Sequence, residues 1–296
     1  MTDIIVNPVS GSGAGAVTAE SIARELERRG VAYALHNTGA KGDAAAIAAE
    51  CMKNNPDAVA CIGGDGTVQE IVGIMARTDV PFGIIPAGSG NDLVASLYEY
   101  KGKGPLYYLE KIILGATRTI DLIKCVAAAC GETFYMVNIG SVGIDAEIVH
   151  KADDFKKTFG HFAYIVSTVY NAFTYKTGRI SVTADDFSYD GGLSLAAVCN
   201  GGVYGGGFRI APSASVDDGL ITLCIVQPMS TPEILALFPS VLLGKHAGLK
   251  KINFYETKRV EIGYDGIKRL NLDGNIFDCT GPISFEIMPG ALTIFS

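Results

Sequence analysis

Up to Asp121 the chain alternates between two patterns of apolar and polar residues. Asp3–Val6, Val31–Leu35, Asp57–Ile62 and Pro81–Ile85 are short, nearly unbroken apolar runs and predict buried strands. Between them the apolar residues fall three and four apart. The stretch 16–29 places Ile22, Ala23 and Leu26 on one face, an alanine-rich stretch runs from Lys41 to Asn54, and 68–76 is apolar at 68, 71, 72, 74 and 75. These predict helices, and strand–helix alternation predicts a parallel, doubly wound sheet. Beyond Asp121 the pattern shifts to many short strands: Phe134–Asn138, Arg179–Thr183, Leu193–Cys199, Leu220–Val226, Arg259–Ile262 and Ile283–Ile287. Two helical insertions, 146–175 and 231–244, interrupt them. An antiparallel β-sandwich is the expected second unit. The expected division is an α/β domain over 1–123 and a β-rich domain over 124–284, with 285–296 as a last strand that could belong to either.

Glycine marks the places where strand gives way to helix. Asn7–Gly15, Gly63–Thr67 and Pro86–Asp92 each follow a predicted strand and open a predicted helix. Such junctions suit an anion, because glycine lets the backbone come close and the first N–H groups of a helix point outward. The first loop lacks the lysine of a P-loop, and its glycine spacing is not G-x-G-x-x-G. In a parallel sheet all three loops lie at one edge, which points to a nucleotide site. Asp65, inside the second loop, would face phosphate only across a metal ion or a polarised hydroxyl. The plainer reading is a strand-to-helix turn with Asp65 as its N-cap. Thr38 follows a strand end, where open α/β sheets bind ligands, and is equally a simple turn residue. In the second unit, Asn138–Asp145 is a glycine-spaced polar loop and Val198–Gly207 is dense in glycine, as a tight sheet corner or as open backbone beside a ligand groove. Asp217–Leu220 reads as a hairpin turn or as a hard-cation site.

Composition narrows the setting. Of 296 residues 48% are hydrophobic, enough for a sizeable core without disulfides. Seven cysteines, an odd number with no C-x-x-C pair, read as reduced thiols of a cytoplasmic protein. Neither a secretory signal nor an apolar run of membrane-spanning length is expected. A net charge of −7 argues against nucleic acid as a partner, while leaving room for a local basic patch at an anionic membrane face. His36, His150, His161 and His246 lack a close zinc-ligand spacing and are expected at the surface or in a groove. Phe159, Phe162, Tyr164 and Ile165 in one insertion, and Leu235, Leu237, Phe238 and Leu242 in the other, read as core packing or as a lipid-facing surface.

Asn7–Gly11, Gly63–Thr67, Pro86–Asp92, Asn138–Asp145, Ala211–Leu220 and Leu272–Gly274 occur in an order and spacing that resemble the bacterial diacylglycerol kinase-like lipid kinase family, related to sphingosine kinases. Gly244–His246 is a smaller match, and the resemblance covers essentially the whole chain. It implies transfer of the γ-phosphate of ATP, with Mg²⁺, to a lipid hydroxyl at a membrane surface. By resemblance Asn7, Pro8, Val9, Ser10, Gly11, Thr38, Gly64, Asp65, Gly66, Thr67, Glu70 and Ser89 would contact ATP, and Asp65 would govern the phosphate and its Mg²⁺. Asp218, with the carbonyls of Ser215 and Leu220, resembles a structural Mg²⁺ site, which Asp121 would join to the active site through hydrogen-bonded water. The family's Asp-Gly-Glu stands here as Asp273-Gly274-Asn275. The missing glutamate is the expected proton acceptor, so Asp273 or Asp65 would have to take that role beside Asn275. Two other readings are a nucleotide- or lipid-binding protein weakened in catalysis and an NAD kinase, which shares the Gly-Gly-Asp-Gly loop. A sheet edge in the second domain could pair two copies into a homodimer.

Overall fold

A computed structural model describes residues 1–98, 103–128, 131–159, 163–264 and 267–296. His161, Phe162 and Cys130 lie outside the described residues. The first part alternates strand and helix: β1 (Thr2–Val6), α1 (Ser10–Arg29), β2 (Tyr33–Asn37), α2 (Asp43–Lys53), β3 (Ala58–Gly63), α3 (Asp65–Met75), β4 (Phe82–Pro86), α4 (Asp92–Leu97) and α5 (Pro105–Leu114). Its strands are parallel in the order β2-β1-β3-β4. β1, β3 and β4 are almost wholly buried, which is why they read as unbroken apolar runs: helices cover both faces. Val6 pairs with Ile62 and Gly63 with Pro86, so the three strands end level and their loops leave at one edge.

The rest of the chain contributes β5 (Thr117–Ala127), β6 (Glu132–Met136), β7 (Ile139–Gly143), α6 (Ile144–Phe159), α7 (Ala163–Thr174), β8 (Gly178–Ala184), β9 (Ser188–Leu193), β10 (Leu195–Cys199) and β11 (Ile221–Val226). It ends with α8 (Thr231–Leu242), β12 (Ile252–Thr257), β13 (Arg259–Tyr264), β14 (Ile267–Leu272), β15 (Asn275–Thr280) and β16 (Ile283–Phe295). Strands β12-β11-β10-β7-β14-β15 form an antiparallel sheet, and β5, β6, β8, β9, β13 and β16 extend the first sheet. Side chains alternate across β10 as a strand's geometry requires. Ala196 and Val198 face the space between the sheets, with Ile123, Val182, Leu223, Ile262 and Phe285, whereas Leu195, Ala197 and Cys199 face the side covered by α6 and α8. The α/β unit with an antiparallel sandwich beside it is the architecture that the pattern predicts.

Strand β16 joins the two parts. It pairs with β13 and β5 at its start, shifts register between Met288 and Leu292, and sets Ile294 opposite Phe82 of β4 at its end. Gly290, at φ 60°, supplies the left-handed residue that this irregularity needs.

Four details differ from the sequence expectation. Asn138–Asp145, read as a polar loop, is the wholly buried strand β7 running into α6, because its glycines and serine pack between strands rather than turn the chain. The run Leu193–Cys199 is two strands in different sheets, broken at Ser194, because burial at both ends hides the change of sheet from an apolar pattern. The insertion 146–175 is two helices packed on each other, α6 and α7. His246 is neither at the surface nor in a groove: it is fully buried, its Nε2 on the Ile210 carbonyl at 2.9 Å and its ring beside Phe254. The six described cysteines are buried free thiols.

Candidate active site

The glycine loops after β1, β3 and β4 meet, and each is shaped by the next. Asn7 donates its N–H to Ile62 O at 2.9 Å and its side-chain amide to Thr67 Oγ1 at 3.0 Å. Ser10 Oγ donates to Ala87 O at 3.2 Å. Gly11, Ser12 and Gly13 all have positive φ, so the chain coils back on itself before the regular part of α1 begins. A Cβ on Gly11 would sit 2.3 Å from Ala87 O, and one on Gly88 would sit 2.5 Å from Gly64 Cα. Gly66 is different: nothing lies within 4 Å of its missing Cβ, so the space above the start of α3 is open to a ligand.

Asp65 opens α3 and looks across at the start of α4. Its Oδ1 accepts from the Leu93 N–H at 3.2 Å. Burial pushes its carboxyl above the usual carboxylate range, against the pull of the N–H groups of Leu93, Asp92 and Asn91. Asp92 is the neighbour that motif reading did not single out. Its carboxylate accepts from the Gly206 N–H at 2.9 and 3.1 Å, which fastens the glycine-dense 205–207 turn of the second domain onto the first. Burial, then the charge of Asp65, pushes Asp92 up to about 7. A carboxylate pair therefore lies at the mouth of the three loops.

Thr38 stands at the end of β2, its N–H on Val6 O at 2.9 Å. Glu70, further along α3, accepts from the Gly42 N–H at 3.0 Å. Ser89 is exposed at the tip of the third loop, and Pro8 and Val9 lie on the first, Val9 exposed.

From the far side a hairpin of the second domain reaches in. Asp273 (φ 48°) and Gly274 (φ 86°) form the two-residue turn between β14 and β15, where both central residues need positive φ. Both Asp273 oxygens are occupied by the N–H groups of Val137, Asn138 and Ile139 at 2.8–3.0 Å. Burial outweighs those bonds and pushes its carboxyl up to about 6. The next residue, Asn275, donates its amide to Gln69 Oε1 at 3.3 Å. Gln69 is one turn after Asp65 on α3, so the hairpin tip meets the helix face that carries Asp65.

Polar side chains tie this groove together. Asn138 bonds Ser96 of α4 at 3.2 Å and Val203 O at 2.8 Å, while the Asn200 amide donates to Asp121 O and Val137 O. Gly201 would place a Cβ 2.2 Å from Asn138 Oδ1, so close packing requires glycine there. Deeper in, buried Asp145 accepts from Tyr204 at 2.5 Å, Asn271 at 2.9 Å, Tyr164 at 3.1 Å and also Ser141. Burial and then the Asp145 charge raise both tyrosine hydroxyls well above their ordinary range. Asp92, Asn138, Asp145 and Asn200 have no sequence signal beyond lying in or beside glycine-spaced motifs.

The second acidic group forms its own small centre. Buried Asp121 accepts from Gly219 N–H and Gly290 N–H, each at 2.7 Å. Asp218 Oδ1 accepts from the Leu220 N–H at 2.9 Å, and no hydrogen bond occupies its other oxygen among the described residues. A carboxylate oxygen and backbone carbonyls are the donor chemistry that a hard cation such as Mg²⁺ takes. Asp121 reaches this loop through the Gly219 N–H, and its own carbonyl continues through Asn200 and Asn138 to α4.

Two family models match the chain: the diacylglycerol kinase catalytic domain over residues 3–125, and the YegS C-terminal NAD kinase beta sandwich-like domain over 138–296. The chain belongs to the diacylglycerol kinase family of lipid kinases. The diacylglycerol kinase of Mycobacterium tuberculosis is 31% identical over 98% of this chain and 93% of its own length, and that of Bacillus subtilis 27% identical over 92% and 88%. A probable lipid kinase YegS-like of Shewanella frigidimarina is 27% identical over 82% and 77%. A diacylglycerol kinase of Bacillus anthracis superposes with a TM-score of 0.74 at 21% identity, covering 99% of this chain and 96% of that one. An NAD kinase of Archaeoglobus fulgidus, solved with ATP, shares the fold at a TM-score of 0.55 and 14% identity, covering 100% and 94%. The lipid kinase is thus a phosphotransferase, and kinase membership implies ATP as its donor. No described helix is long and apolar enough to cross a membrane.

Proposed function

We propose that this lipid kinase transfers the γ-phosphate of Mg²⁺-ATP to the hydroxyl of a diacylglycerol-like lipid, as a peripheral protein at the cytoplasmic face of a membrane. The observation that carries the reading is the position of Asp65, framed by three glycine loops and met on its own helix face by the Asn275 hairpin. The loops from Asn7 to Gly11, from Gly64 to Thr67 and around Ser89 bind the phosphates, and Thr38 and Glu70 border the nucleoside side. Ser215, Asp218 and Leu220 would hold the structural Mg²⁺. Mg²⁺ supplies charge neutralisation, on which phosphoryl transfer chiefly depends together with positioning.

In the transfer step a bond forms between the lipid oxygen and Pγ while the bond from Pγ to the β–γ bridging oxygen breaks, and the lipid proton goes to a carboxylate. Asp273 is the poorer acceptor, since three N–H groups at 2.8–3.0 Å hold both its oxygens, whereas the Leu93 N–H reaches Asp65 Oδ1 at 3.2 Å. Asp65 takes the proton, its raised affinity fitting the task, and Asn275 holds the hydroxyl. For the membrane side, α7 exposes Ile165, Val169, Tyr170 and Phe173, the last 69% exposed. Ile165, Val169 and Phe173 recur four apart with Tyr170 beside them, and α8 adds Leu235 and Leu242.

The test is transfer of labelled γ-phosphate from Mg²⁺-ATP to diacylglycerol, monoacylglycerol, a sphingoid base, phosphatidylglycerol and a polyprenol in mixed micelles. Transfer to diacylglycerol, abolished in Asp65→Ala, is expected. Transfer to another member of the panel would replace the lipid named here. ATP binding without transfer to any lipid would favour a binder weakened by the Asn275 departure.

A further inference from the structure

Away from the groove, three unlike side chains converge where the sheet edge meets α2. Asp3 comes from β1, His36 from β2 and Cys51 from the last turns of α2. One ligand atom from each lies within 4.8 Å of the other two, and no other three His, Cys, Asp or Glu side chains do so among the described residues. Asp3 and Cys51 are buried, whereas the His36 side chain keeps 35% of its surface and gives the cluster a path to solvent. His36 Nε2 is 2.8 Å from Asp3 Oδ1.

We infer that Asp3, His36 and Cys51 form a site for a thiophilic divalent cation such as Zn²⁺, distinct from the proposed Mg²⁺ site. Tetrahedral zinc with bonds of about 2.0–2.3 Å needs ligand atoms roughly 3.3–3.7 Å apart. His36 Nε2 and Asp3 Oδ1 stand at 2.8 Å and all three ligand atoms lie within 4.8 Å, so small side-chain adjustments bring three donors to that spacing and leave the fourth position, at the exposed His36 side, for water. Charge also balances: one carboxylate and one thiolate neutralise a dication in a largely buried spot. A bound metal deprotonates a coordinating thiol outright. Mixed sulfur, nitrogen and oxygen donors favour zinc over magnesium. Occupancy would pin β2 and α2 to β1. Because β2 leads into Thr38, and the start of α2 is held by Glu70 through Gly42, the cation would steady one wall of the nucleotide groove.

The experiment uses the full chain, stripped with chelator and returned to Mg²⁺ buffer. Zn²⁺ binding is followed by calorimetry, and Co²⁺ binding by the thiolate-to-cobalt absorption of the near ultraviolet. One Zn²⁺ per chain and a cobalt–thiolate band are expected. Losing a supporting residue around a metal costs 10–100-fold in affinity, so losing a ligand should weaken binding by at least about 100-fold in Cys51→Ala and in His36→Gln. His36 is partly exposed, so His36→Gln is the milder change, and its native fold is checked by circular dichroism before binding is read. No saturable Zn²⁺ binding by the wild type would overturn the site. So would binding that survives both substitutions, which would assign it to other cysteines.

Discussion

The proposed transfer step turns on Asn275. It stands where the related family motif carries glutamate, and its amide is held by Gln69 beside Asp65. Restoring the carboxylate should add a second proton acceptor. Asn275→Glu is expected to raise kcat at least about tenfold in the mixed-micelle assay, less than the full 10²–10⁴ of a general base because Asp65 already accepts the proton. An unchanged kcat would show that Asp65 already fills the role completely. Asp92 makes a separate prediction. Its pKa in the fold, about 7, lies above the roughly 3.9 of an unfolded aspartate, so the fold favours the protonated form. The stability it contributes is present below about pH 4 and is lost as pH rises through 7. Asp92→Asn keeps an acceptor for the Gly206 N–H and cannot ionise. In urea titrations without ATP or Mg²⁺, the variant should gain on the wild type by roughly 1–3 kcal/mol between pH 4 and pH 8. A constant difference across that range would contradict the assignment.

At the scale of elements, the groove is made by loops that touch backbone to backbone. The Gly88 and Gly64 loops approach so closely that a single methyl group has nowhere to go. Gly88→Ala should cost about 1–3 kcal/mol through overpacking and weaken ATP binding more than tenfold by prising the loops apart. Urea unfolding and calorimetry check the two effects, and full ATP affinity in a folded variant would refute the second. The sequence showed these junctions clearly, since glycine at the end of an apolar run is a local signal. It did not show Asp92 gripping the Gly206 turn, or Asn275 against Gln69. Those pairs are far apart in the chain, and a polar residue leaves no periodic trace of its partner.

Across the whole molecule, β16 and Asp121 hold the two parts in one frame. Asp121 sits on β5 and accepts N–H groups from the Asp218 loop and from the Gly290 irregularity of β16. Asp121→Ala would leave two buried donors unpaired, which should cost about 2–5 kcal/mol in urea unfolding. It should also raise the Mg²⁺ concentration for half-maximal transfer, because the Asp218 loop loses its anchor. A stable variant with an unaltered Mg²⁺ requirement would separate this centre from catalysis.

By itself the sequence determined the kinds of element and the kind of chemistry. Apolar period gave parallel strands followed by antiparallel ones, and six spaced motifs led to the lipid kinase family. Both are carried by neighbouring residues, where local geometry and composition leave a readable pattern. Only the tertiary structure decided where the Leu193–Cys199 run changes sheets, that His246 is buried, and that Asp273 is consumed by three backbone donors. It alone brought Asp3, His36 and Cys51 within reach of one cation. Burial and pairing across long separations depend on how elements stack, and a linear pattern does not encode which polar groups then face each other.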